Sequence, residues 1–124
     1  MESDAQWFEK ISTIFKKEKL TNIEYSLKSP EDYIAVKDFP DAFFDLVLVD
    51  GLYRDQCAKT ALRKVKDGRY IYLDNSDVPY GEFQMAKQTL LSASEDTRYF
   101  IDFYPFQIAV AEGLLIQRPL SISK

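Results

Sequence analysis

Histidine is absent from this 124-residue chain, and cysteine occurs once, at Cys57. Without histidine the sequence holds no Ser–His–Asp or Cys–His catalytic set and no imidazole metal ligand. A lone cysteine forms no disulfide within the chain, and its free thiol suits a reducing, cytoplasmic setting. No apolar run approaches the roughly 18 residues that a membrane-crossing helix needs. The sequence opens on acids, Glu2 and Asp4, where a secretory signal would be basic. Net charge is −4 with both signs spread along the chain, and the nearest thing to a basic stripe is Lys16-Lys17-Glu18-Lys19. That pattern reads as the solvated end of a helix and argues against nucleic acid or a membrane as partner.

The apolar fraction of 46% and the charged fraction of 29% are those of an ordinary globular protein. The length suits one domain, spanning residues 1–124. Two segments stand out: Phe44-Asp45-Leu46-Val47-Leu48-Val49-Asp50-Gly51 and Arg69-Tyr70-Ile71-Tyr72-Leu73-Asp74-Asn75. Each is an apolar run ending in a carboxylate. Runs this apolar read as strands buried on both faces of a parallel sheet. Asp50 and Asp74 then lie at the carboxyl edge of that sheet, where open α/β folds bind ligands.

The remaining elements follow from periodicity and caps. A helix is expected from Ser3 to Lys19, with Ser3 and Gln6 in a capping-box pattern and Trp7, Phe8, Ile11, Ile14 and Phe15 on one face. Asn22–Leu27 alternates like a short strand. Ser29-Pro30-Glu31-Asp32 has the cap, proline and acids of a helix start. Arg54–Lys66 reads as a helix with Ala58, Ala61, Leu62 and Val65 on its apolar face and Gly68 just past its end. A loop runs from Asn75 to Gly81, then a helix to Ala93. Strands are expected at Tyr99–Tyr104 and Glu112–Gln117. The short connection from Pro105 to Ala111 makes that last pair antiparallel. The alternation predicts a three-layer α/β fold, mostly parallel, with right-handed crossovers.

These residues resemble a known family. The succession of helix, strand, helix and a closing antiparallel pair is similar to the C-terminal two-thirds of a class I S-adenosylmethionine-dependent methyltransferase. The resemblance covers nearly the whole chain and implies a Rossmann-like sheet truncated at its N-terminus. Phe44–Gly51 resembles the family's fourth-strand motif, and Gly68–Asn75 its fifth strand, where a second glycine commonly replaces Arg69. Glu2 resembles the acid that holds the cofactor's ribose hydroxyls. The family's Gly-rich cofactor loop has no counterpart: the four glycines, Gly51, Gly68, Gly81 and Gly113, are all far apart. The family's first strand and first helix would lie before Met1, so the sequence reads as a fragment, a misplaced start or a shortened descendant. A narrower likeness concerns catechol O-methyltransferase-like enzymes, whose divalent cation is held by positions matching Asp50, Asp74 and Asn75. All-oxygen ligands of that kind suit Mg²⁺, which would acidify a bound hydroxyl. The Lys that usually follows three residues after the first Asp is replaced by Tyr53, with Arg54 next.

Each site residue also has a plainer reading. Asp50-Gly51 and Asp74-Asn75 are also turn and cap patterns, and Glu2 also suits the dipole of the helix behind it. Arg54 reaches a substrate anion in one reading and solvent in the other. Cys57 reads as a small buried hydrophobe. The aromatics Tyr99, Phe100, Phe103, Tyr104 and Phe106 read as core and edge, or as a subunit interface.

Three functions stay open. The first is a methyltransferase that acts, in complete form, on an oxygen or nitrogen of a small molecule. There Asp50 is nearest the transfer, Glu2 binds S-adenosylmethionine, and the chain alone is inactive. The second is a non-catalytic interaction protein. Its exposed sheet edge is either closed by Asn22–Leu27 moving beside Phe44–Asp50 or paired with a second copy. The third is an unrelated doubly wound domain that binds a metal or phosphate at Asp50 and Asp74.

Overall fold

Asp4 opens the first helix. Its carboxylate accepts the backbone N–H groups of Gln6 at 2.9 Å and Trp7 at 3.0 Å. The capping box expected at Ser3 therefore moves one residue on, because aspartate also accepts these bonds and adds a charge suited to the dipole. The computed structural model describes residues 1–103 and 110–120. The expectations for Tyr104, Phe106 and most of the connection from Pro105 lie outside the described residues. Two compact units divide the chain, Met1–Lys37 and Asp38–Lys124.

The first unit holds α1 (Ala5–Lys17) and α2 (Pro30–Ala35). Phe8 and Phe15 project from α1 onto the Tyr25 ring, with centroids 5.0 and 5.3 Å away. Ser29 caps α2 and Pro30 takes its first turn, as the sequence predicts. Val36 ends it in a left-handed conformation. The strand expected at Asn22–Leu27 is not formed. Leu27 makes a single parallel bridge to Glu2, closed by Glu2 N–H to Ser26 O at 2.9 Å and Lys28 N–H to Glu2 O at 2.7 Å. Alternation alone does not make a strand when only one residue finds a ladder partner.

The second unit is a four-stranded sheet with two helices. Its elements are β1 (Phe44–Val49), α3 (Arg54–Lys64), β2 (Val65–Leu73), α4 (Gly81–Ser92), β3 (Asp96–Phe103) and β4 (Val110–Gln117). The sheet order is β1-β2-β4-β3. β1 and β2 are parallel, and β4 is antiparallel to both its neighbours. The mixed α/β sheet and the antiparallel closing pair are thus as expected. β1 lies at an edge of this sheet.

β3 and β4 open earlier than the sequence reading has them, at Asp96 and Val110, and the largest difference is at the junction of α3 and β2. Val65 leaves the helix and opens β2, paired with Phe44. Residues 66–69 then bulge out before the ladder resumes at Leu46 and Tyr70. Gly68 sits inside that bulge at a φ of +73°, which a glycine adopts without strain. It does not end the helix. The bulge is stitched to the end of β4: Gly68 N–H donates to Arg118 O at 3.0 Å, and the Gln117 amide donates to Gly68 O at 2.9 Å.

The core lies on one face of the sheet. Val49, Ile71, Leu73, Leu114 and Ile116 pack there with Ala58 and Ala61 of α3 and with Ala86 and Leu90 of α4. The alternate residues point the other way. Leu46 and Leu48 are 59% and 61% exposed. The expectation of strands buried on both faces therefore holds for one face only, since both helices of this unit cover the same side.

Candidate functional site at the carboxyl edge of the sheet

Parallel pairing of Val49 with Leu73 brings the next residues, Asp50 and Asp74, side by side beyond the ends of β1 and β2. Asp74 N–H still donates to Val49 O at 3.2 Å, which locks the two strand ends in register. β3 runs in the same direction as β1 and β2, because β4 is antiparallel to both β2 and β3. Its end carries Asp102, opposite Ala111 of β4. Three strands therefore deliver an aspartate to one edge. Asn75 follows Asp74 in a left-handed turn with φ +55°.

Arg54 organises this edge. It is only 8% exposed, so its reading as a surface residue is corrected. The guanidinium makes three hydrogen bonds: Nε donates to Gly51 O at 3.1 Å, Nη1 to Asp74 O at 2.6 Å, and Nη2 to Asp50 Oδ1 at 3.2 Å. Its Cζ lies over the Phe83 ring, 4.6 Å from the centroid. One side chain thus ties the end of β1, the end of β2 and the first turn of α4. Arginine suits this because its fork is rigid, planar and always charged. It starts α3 directly after Tyr53, whose φ of 57° makes a sharp turn out of the strand.

Burial raises the Asp50 carboxyl above the ordinary carboxylate range. The negative charge of Asp74 and a hydrogen bond with it push the same way, and Arg54 opposes both. A raised carboxyl beside a second one is a recurring arrangement for proton transfer. The Tyr72 phenol is also raised, by burial first and then by Asp74 and Asp50, so it stays a neutral donor.

The metal reading meets a poor donor set. Among the described residues no group of three His, Cys, Asp or Glu side chains comes together. Asp50 already has a fixed cation in Arg54. Mg²⁺ can be held by two carboxylates and waters, but here one of the two is already engaged by the guanidinium.

Glu2 belongs to the first unit. Its Oε1 accepts the N–H groups of Ser3 at 2.9 Å and Asp4 at 3.0 Å, just ahead of α1. The carboxylate also bonds the Tyr25 hydroxyl and raises it, after burial. Cys57 is half-buried, with its thiol near Leu52 O at 3.6 Å, and burial pushes it up to about 11. Such a thiol is a poor nucleophile at neutral pH.

The open sheet face next to Asp74 forms a groove of about 730 Å³. Leu46, Leu48, Tyr72, Phe100 and Leu115 line it, with Gly113 beneath and Asp74, Asp102 and Glu112 around it. Gly113 is required by close approach: a Cβ there would collide with the ring and hydroxyl of Tyr72. Glu112 is occupied. Its Oε1 accepts Ser76 Oγ at 2.9 Å and Lys87 Nζ at 3.2 Å. Ser76, 1% exposed, also donates its N–H to Glu112 O at 2.9 Å and so fastens the loop after β2 to β4.

The sequence reading missed Tyr72, Asp102 and Gly113. A glycine inside a strand pattern is a signal for close backbone approach, whereas Asp102 sits inside its apolar run, between Ile101 and Phe103, and carries no such mark. Ser76 and Glu112 carried no signal.

No protein-family model and no curated protein matches the sequence. Solved structures do match the fold. A spermidine synthase in complex with the transition-state analogue AdoDATO aligns with a TM-score of 0.68 at 17% identity, over 97% of this chain and 44% of that one. The spermidine synthase of Thermotoga maritima gives 0.64 at 14%, over 91% and 40%. A SAM-dependent O-methyltransferase of the same organism gives 0.61 at 11%, over 96% and 48%. The chain has a Rossmann-like class I methyltransferase fold. It spans about half the length of these structures.

Proposed function

We propose that the Asp50–Asp74 edge is the acceptor side of a methyltransferase-like domain. The reaction is methyl transfer from S-adenosylmethionine to an oxygen or nitrogen of a small molecule. The observation that carries this reading is the raised Asp50 carboxyl, held by Arg54 beside Asp74 at the carboxyl ends of two parallel strands. The cofactor, when bound, supplies an electrophilic methyl group and a neutral thioether as leaving group. Its fit to the residues present is partial. The carboxylates suit an acceptor with a proton to lose, but no glycines gather into a cradle: Gly68 lies in the β2 bulge and Gly113 under Tyr72. The chain alone is therefore expected to hold S-adenosylmethionine weakly and to lack activity.

Asp50 takes the proton that an O–H or N–H acceptor loses, because a raised carboxyl is a better base than an ordinary one. Arg54 keeps that carboxyl oriented and limits how far it rises. Glu2 is the ribose partner in this reading. The lone thiol at Cys57 suits a reducing, cytoplasmic setting, and among the described residues no helix is long and apolar enough to cross a membrane.

Isothermal titration with S-adenosylmethionine and S-adenosylhomocysteine tests the reading. Weak binding that persists in Asp50→Asn supports it, because that carboxyl serves the acceptor and not the cofactor. No binding by the folded chain favours a second reading, a non-catalytic protein that pairs with a second copy. The observation behind that alternative is the edge position of β1 together with exposed Leu46 and Leu48. Sedimentation velocity reads it directly, as a dimer or a monomer.

A further inference from the structure

The groove on the open face has a lining of one sign. Its walls are the side chains of Leu46, Leu48, Tyr72 and Phe100, and two carboxyl groups, Asp74 and Asp102, border it. Glu112 is neutralised by Lys87. Among the described residues no lysine or arginine forms an ion pair with Asp74 or Asp102. The Tyr72 and Phe100 rings lie 6.4 Å apart and tilted by 49°, both bordering the same space. The volume is within the range of small-molecule sites.

Each ligand class meets this lining differently. A carboxylate or phosphate would face two like charges, and the nearby cations, Arg54 and Lys87, are already paired with Asp50 and Glu112. A neutral apolar ligand would fill the walls but strip water from two carboxylates without replacing it. An ammonium group on an apolar body answers all three features. Its charge pairs with Asp74 and Asp102, its body covers the leucines, and aromatic faces beside it add cation–π attraction.

We propose that this groove binds an organic amine with a short aliphatic or aromatic body. As the acceptor of the transfer it would select nitrogen over oxygen, and that role rests on the reading proposed above. Gly113 makes the selection possible. With no side chain there, the Tyr72 ring and hydroxyl occupy the space over β4 that a Cβ would take. The phenol, kept neutral by burial and the nearby acids, adds a donor–acceptor group to the wall.

Three probes of one shape separate the ligand classes: phenethylamine, phenethyl alcohol and 3-phenylpropanoate, titrated into the full chain by NMR. The amine is expected to bind about tenfold or more tighter than the alcohol, a gap that charge-assisted contacts can supply. The acid is expected not to bind. Asp74→Asn and Asp102→Asn should each shrink the preference for the amine, while Phe100→Ala weakens amine and alcohol alike. Added salt should reduce amine binding, because the groove is open to solvent. Equal affinity for amine and alcohol, preference for the acid, absence of binding by all three, or indifference to both Asp substitutions would each overturn the proposal. Titration with S-adenosylhomocysteine in parallel keeps the two ideas apart. Amine binding without cofactor binding removes the transfer reading and leaves the amine site standing. The reverse result removes only the amine.

Discussion

Adjacent residues on β1 and β2 have the same chemistry and opposite environments. Val47, Val49, Ile71 and Leu73 face α3 and α4, and the last three are 4% exposed or less. Leu46 and Leu48, on the same strand as the valines, are more than half exposed. Strands in a one-sided sheet usually alternate apolar with polar. Here both faces are apolar, so the exposed one is not built for bulk water. Large exposed apolar patches mark places where something binds. One face holds the fold together, and the other, with its acids at the strand ends, carries the groove proposed above as a binding site.

Substitutions on either face break or sharpen this contrast. Leu73→Ala, on the covered side, should cost about 2–5 kcal/mol through lost burial and the cavity it leaves. Leu48→Ala, one strand over on the open side, should change stability by about 0.5 kcal/mol or less. Urea unfolding of both variants makes the comparison. A large loss in Leu48→Ala that shrinks on dilution would mean that a second copy covers the open face in solution.

How much of this was legible in the sequence depended on whether local or long-range interactions decide. Ser29-Pro30 announced its helix because cap and proline act within one turn. The runs ending at Asp50 and Asp74 announced adjacent strands because their composition fits little else. Val65 was misread because it continues the helical spacing of Ala58, Ala61 and Leu62, while its backbone is claimed by Phe44, some twenty positions away. Asn22–Leu27 failed in the opposite sense: its alternation is real but only Leu27 finds a partner. The carboxylates of the site were visible, since strand ends can be placed from sequence. Arg54 was not, because whether a helix-start arginine turns inward depends on Asp74 O and Phe83, both distant in the chain.

Arg54 gives the next effect in size. Removing its side chain in Arg54→Ala leaves the carbonyls of Gly51 and Asp74 and a carboxylate oxygen of Asp50 without their donor. The expected loss is about 1–3 kcal/mol, the cost of unsatisfied partly buried acceptors. Lysine at the same place keeps the charge but cannot reach three acceptors at once, so Arg54→Lys should recover less than half of that loss. Full rescue by lysine, measured in the same urea assay, would reduce Arg54 to a simple counter-charge.

The smallest effect is the most specific to the site, and its sign is fixed by Asp50. The folded protein holds this carboxyl above its unfolded value, which is near 3.9 for aspartate. In the window between the two values the folded state binds more protons than the unfolded state, so stability falls as pH rises. The favourable contribution of Asp50 is thus complete below the unfolded value and is lost as pH climbs through the raised one. Asp41 behaves oppositely: its hydrogen bond with Lys64 lowers it, and its contribution fades as pH falls through that lowered value. Subtracting the stability of Asp50→Asn from that of the wild type at each pH from about 3.5 to 7 cancels Asp41 and isolates Asp50. The difference should decline with rising pH, and decline over a wider span in an Arg54→Met background, where the opposing charge is gone. A flat difference would mean that Asp50 is an ordinary surface carboxylate, and a rising one that Arg54 dominates and lowers it. The open face would then keep its apolar lining but lose the base assigned to its edge.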